Sequence, residues 1–388
     1  MPHVKPSNQL AVITDQWNPR AGGSEAYLAD LVQEIVRREC SVRVYCRASS
    51  AAPEGFRLST IRSLWFAKSL RERNFCRKSV RLASPQAAAA VLATRAMPGV
   101  THCQLLGGLY GDAFEAEREA MEPSLRKIIF PAANLLNPKR RMLLALEQKT
   151  LSGPRVPRLW VNSEMIRQRL AERFGISAET ISMVRHGICL RCFSPVAPST
   201  AVEPVGSGKN SRALKLLFVA HNFLLKGLHC VFAAMREALR GGVETTLQIV
   251  GNGDVRAFYK IAADLGISSQ VSFQGGTDRN ALVEFYRGSD ALVHPTFYDP
   301  CSSVALEALA CGCPVITTQR NGASELIQNG REGFVVDHPR NTFALVRTFE
   351  TLLVRERAMQ MRRSAALLGQ SFDLTAHVDA LMEWLGLN

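Results

Sequence analysis

The chain has 388 residues, of which 47% are hydrophobic and 21% charged, a composition typical of a globular protein. This length exceeds what one core usually serves, so two domains of roughly 150 to 200 residues each are expected. The net charge of +13 favours nucleic acid, phosphorylated glycans or acidic lipid headgroups without choosing among them. Because no apolar run could span a bilayer and the start lacks the apolar core of a secretory signal, we expect a cytoplasmic protein that is at most peripheral to a membrane.

The N-terminal half begins with a strand at residues 10–14, a loop at 15–23, a helix at 24–38 and a second strand at 42–46. This order is typical of the opening of a Rossmann-like domain. Gly22 and Gly23 directly precede the helix and would let the backbone approach a ligand closely. A simple tight turn is the alternative.

A basic segment follows at residues 49–81. Its spacing suits a helix with one apolar and one cationic face. We interpret the segment either as a solvated helix packed on the first domain or as a contact for an anionic acceptor or membrane surface. The cations are Arg57, Arg62, Lys68, Arg71, Arg73, Arg77, Lys78 and Arg81.

Three candidate site residues lie near the end of a strand predicted at residues 100–106. They are His102, Tyr110 and Asp112, although for His102 alone a buried core histidine is the simpler interpretation. The other elements predicted in this half are helices at 87–95, 142–150 and 164–174 and strands at 159–162 and 181–187.

The cysteines are interpreted as reduced, small hydrophobic residues, because the ten are scattered and several fall inside predicted strands or helices. Cys189 and Cys192 form the one pair separated by two residues, and no second pair lies at zinc-like spacing. We therefore interpret this pair as structural or incidental.

A run rich in Pro, Ser and Gly at residues 195–211 predicts a linker. A second alternating unit follows it, which predicts an α/β protein with two Rossmann-like domains. Its strands are expected at 214–220, 247–250, 271–274, 291–294, 314–317 and 333–336, and its helices at 227–239, 258–265, 279–286, 301–311, 341–368 and 375–387.

The stretch from 289 to 318 carries the strongest signal for a binding site. Asp299 precedes Pro300, a combination that favours the start of a helix with an open first turn. The free amides of Ser302, Ser303 and Val304 would then point out of the carboxyl edge of a sheet, where phosphate groups bind. Glu307 lies on the same helix outside its apolar stripe, and a ribose diol is one partner that fits it.

Asp299, seven intervening residues, Glu307 and then Ala308-Leu309-Ala310-Cys311-Gly312 resemble the donor-binding signature of the retaining GT-B glycosyltransferases of family 4. The glycines at 22 and 23 and Lys226-Gly227 also match this family. Asp299 stands where the family usually has Glu, and His221 where it has Arg. The likeness covers most of the chain, and within the family it is greatest to bacterial enzymes that add glucose to heptose of the lipopolysaccharide core.

The resemblance implies a GT-B architecture, in which two Rossmann-like domains face each other across a cleft and the C-terminal helix crosses back to the first domain. The corresponding boundaries are residues 1–197 for the acceptor-side domain, 198–212 for the linker, 213–370 for the donor domain and 371–388 for the last helix.

The resemblance also implies a donor site. Glu307 would hold the ribose, and Asp299 the sugar hydroxyls together with the amides of Cys301 and Ser302. Lys226 would hold the diphosphate with Ser303 and Val304, and His221 would assist. The donor-binding set is completed by Gly22, Gly23 and Gly251.

The expected activity is a transfer of a hexose, with glucose as the first candidate, from a nucleoside diphosphate sugar such as UDP-glucose to a lipid-linked or lipopolysaccharide-type glycan. No Asp-x-Asp pair is present, so a metal-bridged diphosphate is not predicted, and no cofactor is expected. One alternative is a degenerate relative that binds a nucleotide sugar or anionic glycan without turnover, motivated by the departures at Gly107, Cys189 and His221. The other alternative is a nucleic-acid-binding protein. Only the positive net charge favours it, and no aromatic-rich binding platform or basic helix motif supports it, so no nucleic-acid partner is expected.

Overall fold

The computed structural model describes residues 9–19, 23–62, 67–83, 88–121, 137–195 and 213–387. The linker predicted at 198–212 and the predicted site residue Gly22 lie outside these ranges. The chain divides into two compact units, one formed by Met1–Gly187 with Leu374–Asn388 and the other by Ile188–Asp373.

The first unit is built on a parallel sheet of seven strands, and a two-stranded sheet is formed by β2 and β4. Its strands are β1 Gln9–Ile13, β2 Gln16–Trp17, β3 Ser41–Cys46, β4 Ala48–Ser49, β5 Arg57–Thr60, β6 Ala90–Ala93, β7 His102–Gln104, β8 Arg158–Val161 and β9 Ile181–Met183. Its first helices are α1 Gly23–Arg37, α2 Lys68–Leu82, α3 Tyr110–Ala120, α4 Pro138–Leu151 and α5 Glu164–Phe174, with a short 3-10 helix at Ala178–Thr180.

The order of the seven strands is β5-β3-β1-β6-β7-β8-β9. The chain moves outward from β1 through β3 to β5 and then returns to the other side of β1 with β6. The strand order therefore reverses between β1 and β6, and ligands of open α/β sheets bind beside the carboxyl ends of such strands.

The helix predicted at residues 87–95 is wrong, because Ala90–Ala93 forms strand β6. This run is rich in alanine, the best helix former, which explains the prediction. All four residues of β6 are buried between β1 and β7, and pairing with both neighbours outweighs the local preference. Within the basic segment at 49–81, residues 57–60 pair with β3 as strand β5, and Lys68–Leu82 forms helix α2.

The second unit is built on a parallel sheet of six strands in the order β12-β11-β10-β13-β14-β15. Its strands are β10 Leu214–Val219, β11 Thr245–Val250, β12 Val271–Gly275, β13 Ala291–His294, β14 Val315–Thr318 and β15 Gly333–Val336. Its helices are α6 Leu228–Arg240, α7 Val255–Asp264, α8 Arg279–Gly288, α9 Ser303–Ala310, α10 Thr342–Leu352 and α11 Arg355–Gly369, with 3-10 helices at Ser268–Gln270 and Gly322–Leu326.

The strand order of the second sheet reverses between β10 and β13, so the loops that follow these two strands meet at its carboxyl edge. The single helix predicted at 341–368 is two helices, α10 and α11, separated by Leu353 and Val354. The chain bends there because α10 packs against α6 whereas α11 packs against α9.

The last helix, α12 Leu374–Leu385, belongs to the first unit, as the resemblance implied. Its buried Val378, Leu381 and Trp384 share one core with residues of α1, β1 and β3. Tyr27 on α1 and His377 on α12 are also joined by a hydrogen bond of 2.6 Å between Oη and Nε2. Within the described ranges, none of the helices is long and apolar enough to cross a membrane.

Candidate functional site

An ion pair joins the two loops that follow β10 and β13. Lys226 Nζ donates to Asp299 Oδ2 at 2.7 Å and to the carbonyl oxygen of Tyr298 at 3.0 Å. His294, the last residue of β13, is buried and places Nε2 3.5 Å from the same carboxylate oxygen. The structure therefore brings together two residues that the sequence predicted, Asp299 and Lys226, and one that it missed, His294.

The ionisation of this group follows from its burial and its charges. Burial acts to raise the pKa of Asp299, but the charge of Lys226 and the contact with His294 outweigh it and hold that pKa well below its usual range. Burial is also the main reason why the pKa of His294 is lowered. At neutral pH the group thus holds a carboxylate, an ammonium and a neutral imidazole.

The loop that carries Asp299 is fixed by the residues after β14. The amide of Asp299 donates to the carbonyl of Arg320 at 3.0 Å, and its carbonyl accepts from the amide of Gly322 at 2.9 Å. The side chain of Asn321, which is fully buried, accepts from the amides of Ser302 and Ala323 and donates to Thr317 Oγ1 at 3.0 Å. Asn321 was not predicted as a site residue, although it lies only three residues beyond the end of β14.

Helix α9 begins later than predicted, at Ser303 with Ser302 as its N-cap, and Asp299 does not cap it. The reason is that the Asp299 carboxylate pairs with Lys226 instead. The Ser302 amide, expected to be open, is taken by Asn321 at 3.2 Å. In the described part of the chain the amides of Ser303 and Val304 meet no acceptor. Open amides at the start of a helix, together with an ammonium group held by the loop that leads into that helix, are groups that can hold a phosphate.

Glu307 lies in the middle of α9 and is held by a tyrosine. Tyr286 Oη, buried in α8, donates to Glu307 Oε2 at 2.9 Å. Burial, together with the charge of Glu307, raises the pKa of Tyr286 well above its usual range, so the hydroxyl remains a donor. The partner that the sequence required for this carboxylate is thus provided within the protein, at least at one oxygen.

Two glycines allow the loops at this edge to approach each other. A Cβ at Gly227, which follows Lys226, would lie 2.1 Å from the carbonyl oxygen of Pro295, and φ there is 82°. A Cβ at Gly251, the residue after β11, would lie 1.7 Å from the carbonyl oxygen of Ala220. The predicted residue His221 lies exposed on the loop after β10, and Cys301 is buried just before α9.

The predicted residues of the first unit that the structure describes lie on three different elements. Gly23 is the first residue of α1. His102 is buried in β7, where Nδ1 lies 2.9 Å from Thr101 Oγ1 and the ring meets Trp384 of α12 edge to face at 4.7 Å. Burial lowers its pKa to about 4. These contacts are those of a neutral core histidine, the simpler of the two interpretations.

Asp112 and Tyr110 lie at the start of α3. Asp112 is buried and accepts from Arg169 Nε and Nη2 at 3.1 and 3.0 Å, and also from Arg173. The amide of Tyr110 donates to Glu147 Oε1 at 2.7 Å, and burial raises the pKa of its hydroxyl to about 12. Both residues thus have partners within the first unit.

Sequence reasoning missed a charged group at the carboxyl edge of the first sheet, which we name the Arg47–Arg95 cluster. Its members lie just beyond β1, β3 and β6 and on helices α2 and α4. A search for charged residues just after each predicted strand would have found Asp15 and Arg47. It would have missed Arg95, because the strand before it, β6, was predicted as a helix. The cluster consists of Asp15, Arg47, Glu72, Arg95 and Lys139.

The Cys189 and Cys192 thiols lie 3.0 Å apart, in a turn closed by a hydrogen bond from the Cys192 amide to the Cys189 carbonyl. The other eight cysteines are buried. The interpretation of this pair as structural or incidental stays a prediction.

Two parallel-sheet Rossmann-like units on one chain define the GT-B class of fold. Each half of the chain also matches a glycosyltransferase family model. Residues 21–191 match the model "Glycosyltransferase Family 4", and residues 201–367 match "Glycosyl transferases group 1". Each half of the chain is thus similar to a glycosyltransferase family model.

Curated relatives share about a quarter to a third of the aligned residues. The D-inositol 3-phosphate glycosyltransferase of Rhodococcus jostii is 29% identical over 191 residues, which are 47% of this chain and 42% of that protein. The glycogen synthase of Mycobacterium tuberculosis is 29% identical over 205 residues, 53% of this chain and 47% of that protein. The chain thus matches about half the length of these relatives.

Solved structures agree over almost the whole chain. WaaG, described as a glycosyltransferase involved in lipopolysaccharide biosynthesis, matches with a TM-score of 0.78 and 20% identity over 97% of this chain and 99% of that one. HepE of Anabaena in complex with UDP and glucose matches with a TM-score of 0.67 and 16% identity over 97% and 99%. At these identities the likeness establishes the fold.

Proposed function

We propose that this protein is a retaining, metal-independent glycosyltransferase that transfers a hexose from a nucleoside diphosphate to a hydroxyl group of a lipid-linked or lipopolysaccharide-type glycan. The observation that carries the proposal is the Lys226–Asp299 pair, which lies where the strand order of the second sheet reverses and next to the start of α9. The two family models and the GT-B fold support the reaction class.

In this proposal the second unit binds the donor. The diphosphate accepts hydrogen bonds from the Ser303 and Val304 amides and from the Lys226 ammonium. Asp299, no longer the nearest anion to Lys226, accepts from hydroxyl groups of the sugar. Glu307 holds the ribose diol, with its orientation fixed by Tyr286. The Ser302 amide is not among the groups that bind the donor, because it already donates a hydrogen bond to the Asn321 side chain.

The reaction exchanges one bond at the anomeric carbon. The acceptor hydroxyl forms the new C–O bond, the bond to the diphosphate breaks, and its electron pair stays on the phosphate oxygen. The proton of the acceptor goes to the leaving phosphate, so neither a protein nucleophile nor a cofactor is consumed. Lys226 and the α9 amides stabilise the charge that develops on the diphosphate, an interaction that strengthens in the transition state.

UDP-glucose is the first donor to test, because HepE, which shares the fold, is described in complex with UDP and glucose. The acceptor has two candidates. WaaG is described as acting in lipopolysaccharide biosynthesis, whereas several curated relatives are named for D-inositol 3-phosphate. We favour the lipid-linked or lipopolysaccharide-type glycan, on the resemblance described above, and keep inositol 3-phosphate as the second arm of the assay.

Association with an anionic membrane surface is part of the proposal, and helix α2 supports it. The one acidic residue of α2, Glu72, is buried, whereas Leu70 and Leu82 are 40% and 53% exposed among the cations. Each basic residue near an anionic surface contributes on the order of 1 kcal/mol to binding. Sedimentation with phosphatidylglycerol vesicles should fall with Arg73→Glu plus Arg77→Glu; unchanged sedimentation would contradict this part. The exposed cations of the helix are Lys68, Arg71, Arg73, Arg77, Lys78 and Arg81.

The activity is tested by nucleotide release. Purified protein is incubated with UDP-glucose, UDP-galactose or GDP-mannose, with truncated lipopolysaccharide or inositol 3-phosphate as acceptor. We expect release of UDP that depends on the acceptor and is lost in Lys226→Met. UDP binding without turnover on any acceptor would establish the non-catalytic alternative, and neither binding nor turnover would reject the proposal.

A further inference from the structure

The Arg47–Arg95 cluster lies at the position of the first sheet where ligands of parallel α/β sheets bind. Asp15 follows β1 and Arg95 follows β6, the two neighbouring strands at which the strand order reverses. Arg47 follows β3, and its amide donates to the carbonyl of Asp15 at 3.0 Å. The backbone thus holds these three side chains at one edge.

The cluster holds one more positive charge than negative charge. Glu72, which is almost fully buried on α2, accepts from Arg47 Nη1 at 2.6 Å and from Arg95 Nη2 at 3.0 Å. Asp15 Oδ1 lies 2.9 Å from Arg47 Nη2 and 3.0 Å from Arg95 Nη2. Lys139 Nζ is 3.8 Å from Glu72. Three cations therefore face two carboxylates, and a surplus charge in a partly buried place favours a further anion.

Several donors of the cluster have no acceptor. Arg95 is only 8% exposed, and its guanidinium lies beside the hydroxyl group of Tyr110. Its Nε and Nη1, and the buried Nε of Arg47, still have no acceptor at hydrogen-bond geometry in the ranges that the structure describes. A buried donor without an acceptor is costly, and it is rare in a purely structural ion pair. The rim of the cluster is open, because the side chains of Asp15 and Lys139 are 45% and 47% exposed.

We propose that the Arg47–Arg95 cluster is an anion site of the first unit that takes a phosphate group, entering beside Lys139 and supplying both the missing charge and the missing acceptors. Its role, which rests on the proposed function, is to hold a phosphate carried by the acceptor. Phosphate binding itself does not depend on that function. The cluster belongs to the first unit, whereas the Lys226–Asp299 group belongs to the second.

Charge-changing variants of opposite sign test the site. Binding of inorganic phosphate is measured by isothermal titration calorimetry with UDP at saturation, so that the proposed donor site is filled. Lys139→Gln should weaken binding about threefold to fivefold, and Asp15→Asn should tighten it by a similar factor, as expected for partly exposed charges. The matched control is Lys149→Gln on the exposed side of the same helix, α4, which should change nothing.

If the cluster were only structural, Lys139→Gln and Asp15→Asn would not change the affinity for phosphate in opposite directions. The proposal is overturned if Lys139→Gln and Asp15→Asn change phosphate affinity in the same direction, or if Lys149→Gln weakens it as much as Lys139→Gln. Circular dichroism of each variant excludes unfolding as the cause, and Lys139→Glu, which should weaken binding further, replaces Asp15→Asn if that variant does not fold. If UDP does not bind, these variants still decide the anion site, so its failure is distinct from that of the proposed donor site.

The source of the phosphate is decided by a second titration. Inositol 3-phosphate is compared with inorganic phosphate and with uncharged inositol. A phosphorylated acceptor is supported if inositol 3-phosphate binds more tightly than both inorganic phosphate and inositol. Lys139→Gln should then weaken its binding, and Asp15→Asn should tighten it. Equal affinity for both phosphates leaves the anion site in place but overturns its role in acceptor binding.

Discussion

Lys226 and Asp299 are 73 residues apart in the chain, yet their side chains form a 2.7 Å ion pair in which both partners are largely buried. The pair exists because β10 and β13 are neighbours in the sheet, so the loops after them share one edge. A buried pair of this kind is costly to break from one side only, because the remaining charge loses its partner.

We therefore expect Lys226→Met and Asp299→Asn each to destabilise the second unit, by about 2 to 4 kcal/mol. The double variant should cost less than the sum of the two, because it leaves no unpaired charge. Urea unfolding followed by circular dichroism measures the coupling. If the losses of unfolding free energy in the two single variants add up to the loss in the double variant, Lys226 and Asp299 do not stabilise each other.

Glu307→Ala should lower the affinity for UDP about tenfold to a hundredfold if this carboxylate holds the ribose, since a hydrogen bond to a charged group contributes about 1.5 to 3 kcal/mol. Tyr286→Phe is the matched variant, because it removes only the hydroxyl that donates to Glu307. We expect from it a loss of less than tenfold. Unchanged UDP affinity in Glu307→Ala, measured by calorimetry, would remove Glu307 from the proposed site.

Asn321→Ala should loosen the loop that carries Asp299, because three hydrogen bonds of a fully buried side chain are lost. The expected cost is about 1 to 3 kcal/mol of stability, together with weaker UDP binding. Asn341→Ala is the control. Asn341 is the N-cap residue of α10, and its side chain accepts a hydrogen bond from the Ala344 amide. This substitution should lower stability by about 1 kcal/mol and leave UDP affinity unchanged. Equal UDP affinity in both variants would argue that Asn321 is only structural.

Gly251→Ala should prevent the second unit from folding stably. The added Cβ would lie 1.7 Å from the Ala220 carbonyl oxygen, and φ at this position is 133°, so we expect a cost above about 3 kcal/mol. Gly288→Ala is the matched substitution, since a Cβ there meets no heavy atom within 4 Å and the residue ends a helix. It should be neutral or stabilising by up to about 1 kcal/mol. Thermal unfolding of both variants measures this difference in stability. Equal melting temperatures would contradict the prediction.

The stability of the first unit should fall as the pH decreases from about 6.5 to about 4. Burial lowers the pKa of both His102 and His377 to about 4, whereas an unfolded histidine has a pKa near 6.5. Between these values the unfolded state binds protons that the folded state does not, so stability rises with pH and is level above this window.

His102→Phe removes one of these groups while it keeps an aromatic ring beside Trp384. The slope of unfolding free energy against pH should therefore decrease by about 1 kcal/mol per pH unit within the window. Tryptophan fluorescence reports this unit selectively, because Trp17, Trp160 and Trp384 belong to it and residues 188–373 of the second unit contain no tryptophan. An unchanged slope would mean that His102 is not held neutral.

Much of the architecture could be predicted from local patterns. Strand Ala291–His294, helix Glu164–Phe174 and strand Gly333–Val336 have the predicted boundaries, because each combines a clear apolar pattern with a distinct stop or start. The alternation of strands and helices then fixed two Rossmann-like domains. Local patterns failed at Ala90–Ala93, where alanine favours a helix but burial between two strands decides for a strand.

By itself, the sequence determined the class of fold and brought Lys226, Asp299 and Glu307 forward as candidates, because these rest on residue type and spacing along the chain. Only the tertiary structure decided which side chains meet. It paired Lys226 with Asp299, gave the Ser302 amide to Asn321, and assembled Asp15, Arg47 and Arg95 at one sheet edge. The physical reason is that parallel strands bring together residues far apart in the chain, and their order in a sheet is not written in any local pattern.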